Sequence, residues 1–140
     1  MKLKSLDIVQ RMLDKDAFTR EIGMELLEID AGRCVLRMQV KPSMTNGFGI
    51  AHGGITYSLS DSAMAFASNA HGNIAMSIET SISHLKKVAL GEVLTAETRE
   101  INRGKTVGRY EVVVTNSTNE VVSVFKGTVL FSQDAWENQP

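Results

Sequence analysis

The central third of the chain places the strongest limit on the fold, because it is almost free of charge. Between Lys41 and Glu79, a stretch of 37 residues, Asp61 is the only charged side chain, whereas average composition would place about nine charges there. Residues 53–70 contain no Pro and few β-branched residues, and they end at His71-Gly72-Asn73, which predicts a helix. Asp61 is therefore either an incidental surface group or a carboxylate held where charge is costly.

Neither face of this predicted helix has the composition of a solvent-exposed face. An apolar stripe runs along one side and consists of Ile55, Leu59, Ala63, Phe66 and Ala70. Asp61 lies about 240° around the helix axis from Ile55. It shares its side with neutral residues, which are Tyr57, Ser58, Met64, Ala65 and Ser68. Such a helix needs cover on both sides, so we expect a sheet on one side and a second subunit on the other.

The remaining segments predict one further helix and six strands. Ser5 is a candidate N-cap for a helix within residues 1–20, in which Leu6, Val9, Leu13 and Ala17 recur at helical spacing. Alternating or Val- and Thr-rich runs predict strands at residues 25–29, 33–40, 75–84, 93–102, 106–115 and 121–132. We expect the polar tail, residues 134–140, to be frayed. This order predicts a single α+β domain spanning residues 1–140, with a curved antiparallel sheet wrapped around the long helix.

Length and composition bound the class of protein. With 140 residues and 43% hydrophobic content, the chain is large enough for one domain with a core and too small for two. The formal net charge of -1, with both signs mixed along the chain, argues against a nucleic-acid partner. Cys34 is the single cysteine, and its place in an alternating run predicts a core thiol in a reducing compartment. Charges interrupt every apolar run near the N-terminus, so we expect no membrane partner and predict a cytoplasmic protein.

A motif precedes and enters the central helix. Asn46 is followed at fixed spacing by His52-Gly53-Gly54 and then by Asp61, an array far more specific than a lone His-Gly-Gly. This array resembles the signature of the hot-dog-fold acyl-CoA thioesterases, specifically the phenylacetate-pathway (PaaI-type) group, and the resemblance extends over residues 22–131. It implies a long central helix wrapped by an antiparallel sheet. It also implies that two subunits pair sheets edge to edge, that dimers pair into a homotetramer, and that active sites lie between subunits.

Thioester hydrolysis needs a donor for the developing oxyanion and a group that attacks or activates water. The opening N–H groups of a helix have no intrahelical partner, so the helix start can supply the donor. The resemblance implies that Gly53 N–H is this donor and that Asp61 is the nucleophile or the general base. Both lie on one helix, about 12 Å apart along its axis. The resemblance therefore implies that Gly53 of one chain faces Asp61 of a second copy, with Asn46 bonding to the water or the carboxylate and His52 in a supporting role.

Further residues are candidates for binding the substrate, which the resemblance implies is an acyl-CoA. Dispersed cations suit the phosphates of coenzyme A, and the candidates are Lys86, Lys87, Arg103 and Lys105. Candidates for the acyl pocket and for the backbone beside it are Phe48, Gly54, Tyr57, Met64 and Ser68. Phe48 is compatible with an aromatic acyl group, such as an aryl-acetyl group, and a medium-chain aliphatic group is equally compatible. We expect no cofactor, because coenzyme A is part of the substrate, and no metal, because the three histidines form no ligand-spaced cluster with Asp or Glu.

Each motif residue also has a plain structural interpretation. The Asp61 carboxylate would then be satisfied by nearby serines such as Ser58 or Ser68, and His52 would be a packed, hydrogen-bonded loop residue. The two glycines would permit close packing of helix on sheet, and Asn46 would be a turn former.

Two other functions remain open at this point. One is a hot-dog hydratase or dehydratase that uses His52 and Asp61 on opposite sides of its substrate, although Asn46 and the two glycines fit thioesterases better. The other is a non-catalytic acyl-CoA sensor, which the retained carboxylate and the lack of an attached partner domain argue against.

Overall fold

The computed structural model describes residues 3–140 and contains three helices and six strands in that range. The helices are α1 (Ser5–Lys15), α2 (Ala17–Glu21) and α3 (Gly53–Asn69). The strands are β1 (Glu25–Asp30), β2 (Arg33–Gln39), β3 (Asn73–His84), β4 (Val93–Arg103), β5 (Val107–Thr115) and β6 (Val121–Ala135). Two short 3₁₀ turns, Pro42–Met44 and Trp136–Asn138, complete the described elements.

All six strands form one antiparallel sheet in the order β1-β2-β4-β5-β6-β3. Helix α3 contacts every strand of the sheet, so the long helix lies across one face of the whole sheet. The predicted α+β architecture, with a long central helix against an antiparallel sheet, is confirmed. Strand β3 follows α3 directly in the chain and occupies one edge of the sheet, and β1 occupies the other edge.

Period-two alternation along the strands explains where the core lies. In β4 and β5 every second side chain is buried against α3, and these side chains include Leu94, Ala96, Tyr110, Val112 and Val114. The apolar stripe of α3 faces the sheet, with Leu59, Ala63 and Phe66 fully buried. Cys34 lies in the same core, and burial raises the pKa of its thiol to about 12, as expected for an inert core thiol.

The N-terminal segment differs from its prediction in two respects. The chain forms two helices rather than one, because Asp16 interrupts the first and caps the second by accepting a hydrogen bond from Thr19 N–H at 3.0 Å. Ser5 is not an N-cap, since Lys4 occupies that position. The Ser5 hydroxyl instead donates to the carbonyl oxygen of Ala70 at 3.1 Å.

The helix pair α1 and α2 also covers part of α3. Thr19, which is buried, lies with its Oγ1 3.1 Å from Ser62 Oγ on α3. Ile8 and Val9 of α1 are buried as well. Ser62 lies beside the apolar stripe, about 100° around the axis from Asp61, so this contact leaves the Asp61 side of α3 still to be covered.

The expectation of a frayed C-terminal tail is wrong. Strand β6 continues to Ala135, and the next residue, Trp136, donates its indole N–H to Asn69 Oδ1 at 2.9 Å. Arg11 of α1 donates to the carbonyl oxygens of Trp136 and Gln139 at 3.2 and 3.3 Å. The tail was predicted to be frayed because its composition is polar, but Trp136 holds it in place. A Trp side chain can pack its ring and donate its N–H at the same time.

Candidate active site

The start of α3 leaves one backbone donor open. His52 is the N-cap, and its Nδ1 accepts a hydrogen bond from Gly54 N–H at 2.9 Å. Its carbonyl oxygen accepts from Ile55 N–H at 2.9 Å. Within residues 3–140, Gly53 N–H has no such acceptor. The cap therefore satisfies the two donors that follow Gly53 in the first turn and leaves the Gly53 N–H for a ligand at the positive end of the helix dipole.

The loop before α3 is held by Asn46. Its Oδ1 accepts from Phe48 N–H at 2.9 Å and from Ile50 N–H at 3.4 Å, and Asn46 N–H donates to the Ile50 carbonyl oxygen at 2.8 Å. This is the turn-forming role that the plain interpretation assigned to Asn46. The side-chain amide nitrogen takes no part in these bonds, so the same residue still has two N–H donors for a ligand or a water.

Asn46 and Gly53 lie on the wall of a single cavity of about 390 Å³. The cavity is bounded by the Asn46 loop, the first turn of α3 and the segment that follows β3. Its lining consists of Asn46, Ile50, Ala51, Gly53, Thr56, His84, Leu85, Lys86, Lys87 and Val88. The structure thus brings together two of the four predicted catalytic residues with two of the predicted cations, Lys86 and Lys87.

His84 belongs to this cavity, and the sequence analysis assigned it no role. Its Nδ1 lies 3.3 Å from Thr56 Oγ1, and a Cβ placed on Gly53 would lie only 3.2 Å from its Nε2. His84 lies 31 positions after Gly53 in the chain, so only the fold brings them together. The alternation of β3 carried a signal, because Thr80 and Ile82 face α3 and the next inward position is His84.

Asp61 lies in the middle of α3 and is half-buried. Burial raises the pKa of its carboxyl above the usual value for aspartate. The serines of the plain interpretation do not satisfy it: Ser58 Oγ donates to the Gly54 carbonyl oxygen at 2.7 Å, and Ser68 Oγ donates to that of Ala65 at 3.1 Å. Among the described residues no donor bonds to the Asp61 carboxylate. This half-buried carboxylate is therefore available to accept a hydrogen bond or a proton from a ligand or a water.

The predicted pocket residues occupy different environments. Phe48 is 88% exposed at the tip of the Asn46 loop. Tyr57 is half-buried, with its hydroxyl 2.6 Å from Thr80 Oγ1. Met64 and Ser68 lie in the core of the chain, where Met64 packs against Gly127, so neither lines an open cavity of a single chain.

The four candidate cations fall into two groups. Lys86 forms an ion pair with Glu120, and that hydrogen bond, with those from Asn116 and Thr118, lowers the pKa of Glu120 to about 2. Lys87 lies on the same cavity and forms no ion pair within the described part of the chain. Arg103 stacks over Phe131, 4.9 Å from its ring centroid, and lines a different cavity with His71. That cavity and the turn carrying Lys105 lie at the other end of α3, and the helix is about 24 Å long.

Two further observations bear on cofactors and membranes. Across residues 3–140 no three His, Cys, Asp or Glu side chains are grouped so that they could hold a metal ion. No helix in that range has the length and apolar character needed to cross a bilayer.

Comparison with known proteins gives the family. A model of the thioesterase superfamily matches residues 48–123, more than half of the chain, and this span includes Gly53, Asp61 and His84. The chain belongs to the thioesterase superfamily. The acyl-coenzyme A thioesterase PaaI of Escherichia coli K12 is 32% identical over 127 residues, which cover 91% of this chain and 91% of the relative.

Solved structures share the architecture over most of the chain. The PaaI protein from the phenylacetic acid degradation operon of E. coli matches with a TM-score of 0.91 and 29% identity, covering 94% of this chain and 95% of that one. A Streptococcus mutans protein bound to acetyl CoA matches with a TM-score of 0.78 and 26% identity, over 81% of this chain and 91% of that one. The predicted hot-dog fold and the resemblance to PaaI-type thioesterases are confirmed.

Proposed function

We propose that this chain is an acyl-CoA thioesterase, which hydrolyses the thioester of an acyl-CoA to the free acid and coenzyme A. The observation that carries this proposal is that α3 presents both an open N–H donor, at Gly53, and a half-buried carboxylate without a donor, at Asp61. The first is a site for negative charge on a carbonyl oxygen, and the second is a base or nucleophile. The PaaI relative, named an acyl-coenzyme A thioesterase, supports the substrate class.

The thioester carbonyl oxygen binds at Gly53 N–H. As water or carboxylate attacks the carbonyl carbon, negative charge grows on this oxygen, and the open N–H at the helix start stabilises it. The free amide N–H groups of Asn46, on the same cavity wall, orient the attacking water or the carboxylate. His52 sets up this arrangement from the side, because its ring occupies the neighbouring Gly54 N–H.

Asp61 acts on a thioester bound to a second copy of the chain. Eight residues of helix separate Asp61 from Gly53, so they lie about 12 Å apart along the axis and do not reach one carbonyl carbon together. A site shared between two copies removes this separation. It would also cover the partly exposed side of α3 that carries Ser58, Asp61 and Ala65.

The two edges of the sheet support β3 as the dimer contact. Edge strand β1 has six residues and bears Glu25, Glu28 and Asp30, which discourage pairing with another strand. Edge strand β3 has twelve residues with one acidic side chain, and its Met76 and Ile78 are 65% and 58% exposed. A long, nearly neutral edge with exposed apolar side chains is suited to pairing with its own copy. We extend the proposal to a homodimer through β3 that pairs again into a homotetramer.

The acyl group lies beside Phe48, whose exposed ring at the loop tip is free to cover an aryl-acetyl or a medium-chain group. The E. coli structure from a phenylacetic acid degradation operon supports the aromatic alternative. Turnover of phenylacetyl-CoA and of octanoyl-CoA, measured for wild type and Phe48→Ala, decides between them. A loss confined to the aromatic substrate would support an aromatic pocket.

The test of the activity is thiol release, followed with a disulfide reagent. Wild type should release coenzyme A from at least one acyl-CoA, and Asp61→Asn should lower kcat by about 10³-fold because the base or nucleophile is lost. Asp134→Asn, an exposed aspartate on β6, is the matched control and should have wild-type turnover. Undiminished hydrolysis by Asp61→Asn would contradict the proposal.

A mixing experiment tests the shared site. Gly53→Pro removes the N–H donor and Asp61→Asn removes the carboxylate, so each homo-oligomer should be inactive. Co-refolding equal amounts should restore activity, since hybrid dimers contain one site with both groups intact. No recovery in hybrids verified by mass spectrometry would place both groups in one chain's site. Ile78→Lys, on the β3 edge, should lower both dimer formation and activity.

Single turnover in H₂¹⁸O tests whether Asp61 is the nucleophile. Label in the Asp61 side chain would establish the nucleophile, because ¹⁸O enters it when water attacks the aspartyl carbon of a mixed anhydride. A general base leaves the label only in the released acid, and so does attack of water on the acyl carbon of the anhydride. Addition of water to an enoyl-CoA without thiol release would instead favour the hydratase alternative. Tight acyl-CoA binding with no turnover would favour the sensor.

A further inference from the structure

We propose that His84 is a further catalytic residue, the general acid that protonates the sulfur of the departing thiol. This inference rests on the proposed thioesterase activity and extends it to the leaving-group side of the reaction. Three observations carry it: the anchoring of one ring nitrogen, the position of the other beside Gly53, and the cations that follow His84 in the chain.

Thr56 holds the imidazole ring by Nδ1. The Thr56 hydroxyl donates its single proton to the Gly53 carbonyl oxygen at 3.1 Å, so towards His84 Nδ1, 3.3 Å away, it is an acceptor. His84 therefore keeps a proton on Nδ1. The proton that the ring gains or loses is the one on Nε2, and the orientation of the ring is the same in both states.

The Nε2 atom lies over the residue that receives the carbonyl oxygen. A Cβ on Gly53 would be 3.2 Å from Nε2, so the ring covers this position closely enough that glycine fits it best. A thioester whose oxygen binds at Gly53 N–H carries its sulfur on the same carbon. The sulfur is therefore within reach of a ring that covers the donor residue and lines the same cavity.

The segment after His84 sets the direction in which the leaving group departs. Lys86 and Lys87, which follow His84 in the chain, line the same cavity, and Lys87 has no carboxylate partner among the described residues. The anionic phosphates of coenzyme A are drawn to these lysines. The thioester then lies with its carbonyl oxygen at Gly53, its sulfur at His84 and its coenzyme A arm towards the lysines.

The oxygen of water bonds to the carbonyl carbon while Asp61 takes a proton from the water. The oxyanion at Gly53 N–H then re-forms the carbonyl, and the C–S bond breaks with its electron pair on sulfur. The sulfur takes the proton from His84 Nε2 and leaves as a thiol, and the proton held by Asp61 returns to the imidazole through solvent.

The test compares two thioesters of one acid whose leaving thiols differ strongly in acidity. They also differ in the coenzyme A arm, so each variant is compared with wild type on the same ester. One is the acyl-CoA, and the other is the thiophenyl ester, whose thiolate leaves without a proton. For His84→Ala we expect kcat to fall by about 10²-fold on the acyl-CoA and by less than about threefold on the thiophenyl ester. His84→Gln keeps the size of the side chain and a hydrogen bond to Thr56 but carries no titrating proton, so it should show the same split.

Two control variants separate this role from a structural one. Ser83→Ala, the adjacent exposed residue of β3, should leave both rates unchanged. Thr56→Val frees the ring and should lower the acyl-CoA rate more than the thiophenyl rate. Equal losses on both esters in folded His84→Gln, or no loss on either, would overturn the role of His84 and leave the thioesterase activity standing. A wild-type chain inactive on both esters would overturn the activity, and this role with it.

Discussion

The two ends of helix α3 differ in how their terminal backbone groups are hydrogen-bonded. At the C-terminal end the carbonyl oxygens of Ala67, Ser68 and Asn69 accept from Gly32, His71 and Gly72 N–H groups at 2.9 to 3.3 Å. The Ala70 carbonyl oxygen accepts from the Ser5 hydroxyl. At the N-terminal end the Gly53 N–H has no partner among the described residues. One helix terminus is therefore fully satisfied by the protein, and the other keeps a donor for a ligand.

Asn69 is the centre of the satisfied end. Its amide nitrogen donates to the Ala65 and Ala75 carbonyl oxygens at 2.8 and 3.0 Å, and its Oδ1 accepts from Ala75 N–H and the Trp136 indole, both at 2.9 Å. These bonds tie α3, β3 and the C-terminal tail together. The N-terminal end is held by other bonds, because Ala51 and His52 N–H donate to the Val88 and Met44 carbonyl oxygens, both at 2.8 Å. The difference between the ends therefore shows that the first turn stays in place without using the Gly53 donor.

Removing the donor at the open end should have the largest effect. Gly53→Pro deletes the N–H, and Pro is well tolerated at the first helical position. His52, at φ -62° and ψ 140°, already has the backbone conformation that a following Pro requires. We expect kcat/KM to fall by about 10²- to 10³-fold while the melting temperature changes little.

Gly53→Ala is the matched variant, because it adds a Cβ against His84 but keeps the N–H. We expect a loss of about tenfold or less. If Gly53→Ala loses as much activity as Gly53→Pro, crowding of His84 explains the effect and the donor does not. Steady-state thiol release for the three chains, with thermal melts, provides both readouts.

At the C-terminal end of α3, a substitution should lower the free energy of unfolding and not the activity. Asn69→Ala leaves buried groups of Ala75 and Trp136 without partners, so we expect the free energy of unfolding to fall by about 3 kcal/mol. Because this site is about 24 Å from Gly53, kcat per folded molecule should be nearly unchanged. Urea unfolding and active-site-normalised turnover test this. A fall in kcat without a fall in stability would show that the two ends are not separable.

The sequence predicted the helix and its neutral faces, but not how its ends are closed. The bounds of α3 differ from the predicted 53–70 by one residue, because Gly53-Gly54 and His71-Gly72-Asn73 are local signals that act within a turn. The partners that close the C-terminal end, such as Ser5 and Trp136, are more than sixty residues away in the chain. Periodicity and propensity carry no information on such contacts.

The candidate site shows the same limit. Gly53, Asn46 and Asp61 were found because the motif places them at fixed spacing in one segment. His84 comes from a different element and is brought to Gly53 by the packing of β3 against α3. The alternation of β3 places His84 on the inward side of its strand, but it does not show that the strand end lies beside Gly53. Arg103 and Lys87 carry the same charge in the sequence, yet only the fold shows that they lie at opposite ends of α3.

Substitution of His52, the N-cap of α3, should have a smaller effect on stability and activity than the changes at Gly53 and Asn69. His52→Ala removes the acceptor for Gly54 N–H, and we expect a loss of about 1 kcal/mol in stability and a decrease of a few fold in kcat. His52→Asn provides a capping oxygen instead and should restore both. If His52→Asn recovers stability but not turnover, the imidazole contacts the thioester directly, and the supporting role assigned to it is wrong.

The smallest expected effects are those of pH on stability and activity. They arise from Asp61, which lies between the two ends of α3. Because burial raises its pKa, folding favours the protonated carboxyl relative to the unfolded chain. The associated stability is present below the unfolded pKa and is lost as pH rises through the raised pKa. At neutral pH the ionised group thus opposes folding slightly, and Asp61→Asn should melt at a higher temperature than wild type. Activity needs the carboxylate, so the acid limb of kcat/KM should lie above the usual aspartate range. An acid limb at the ordinary pKa of aspartate, together with an unchanged or lower melting temperature for Asp61→Asn, would show that the carboxylate is well solvated in the working enzyme.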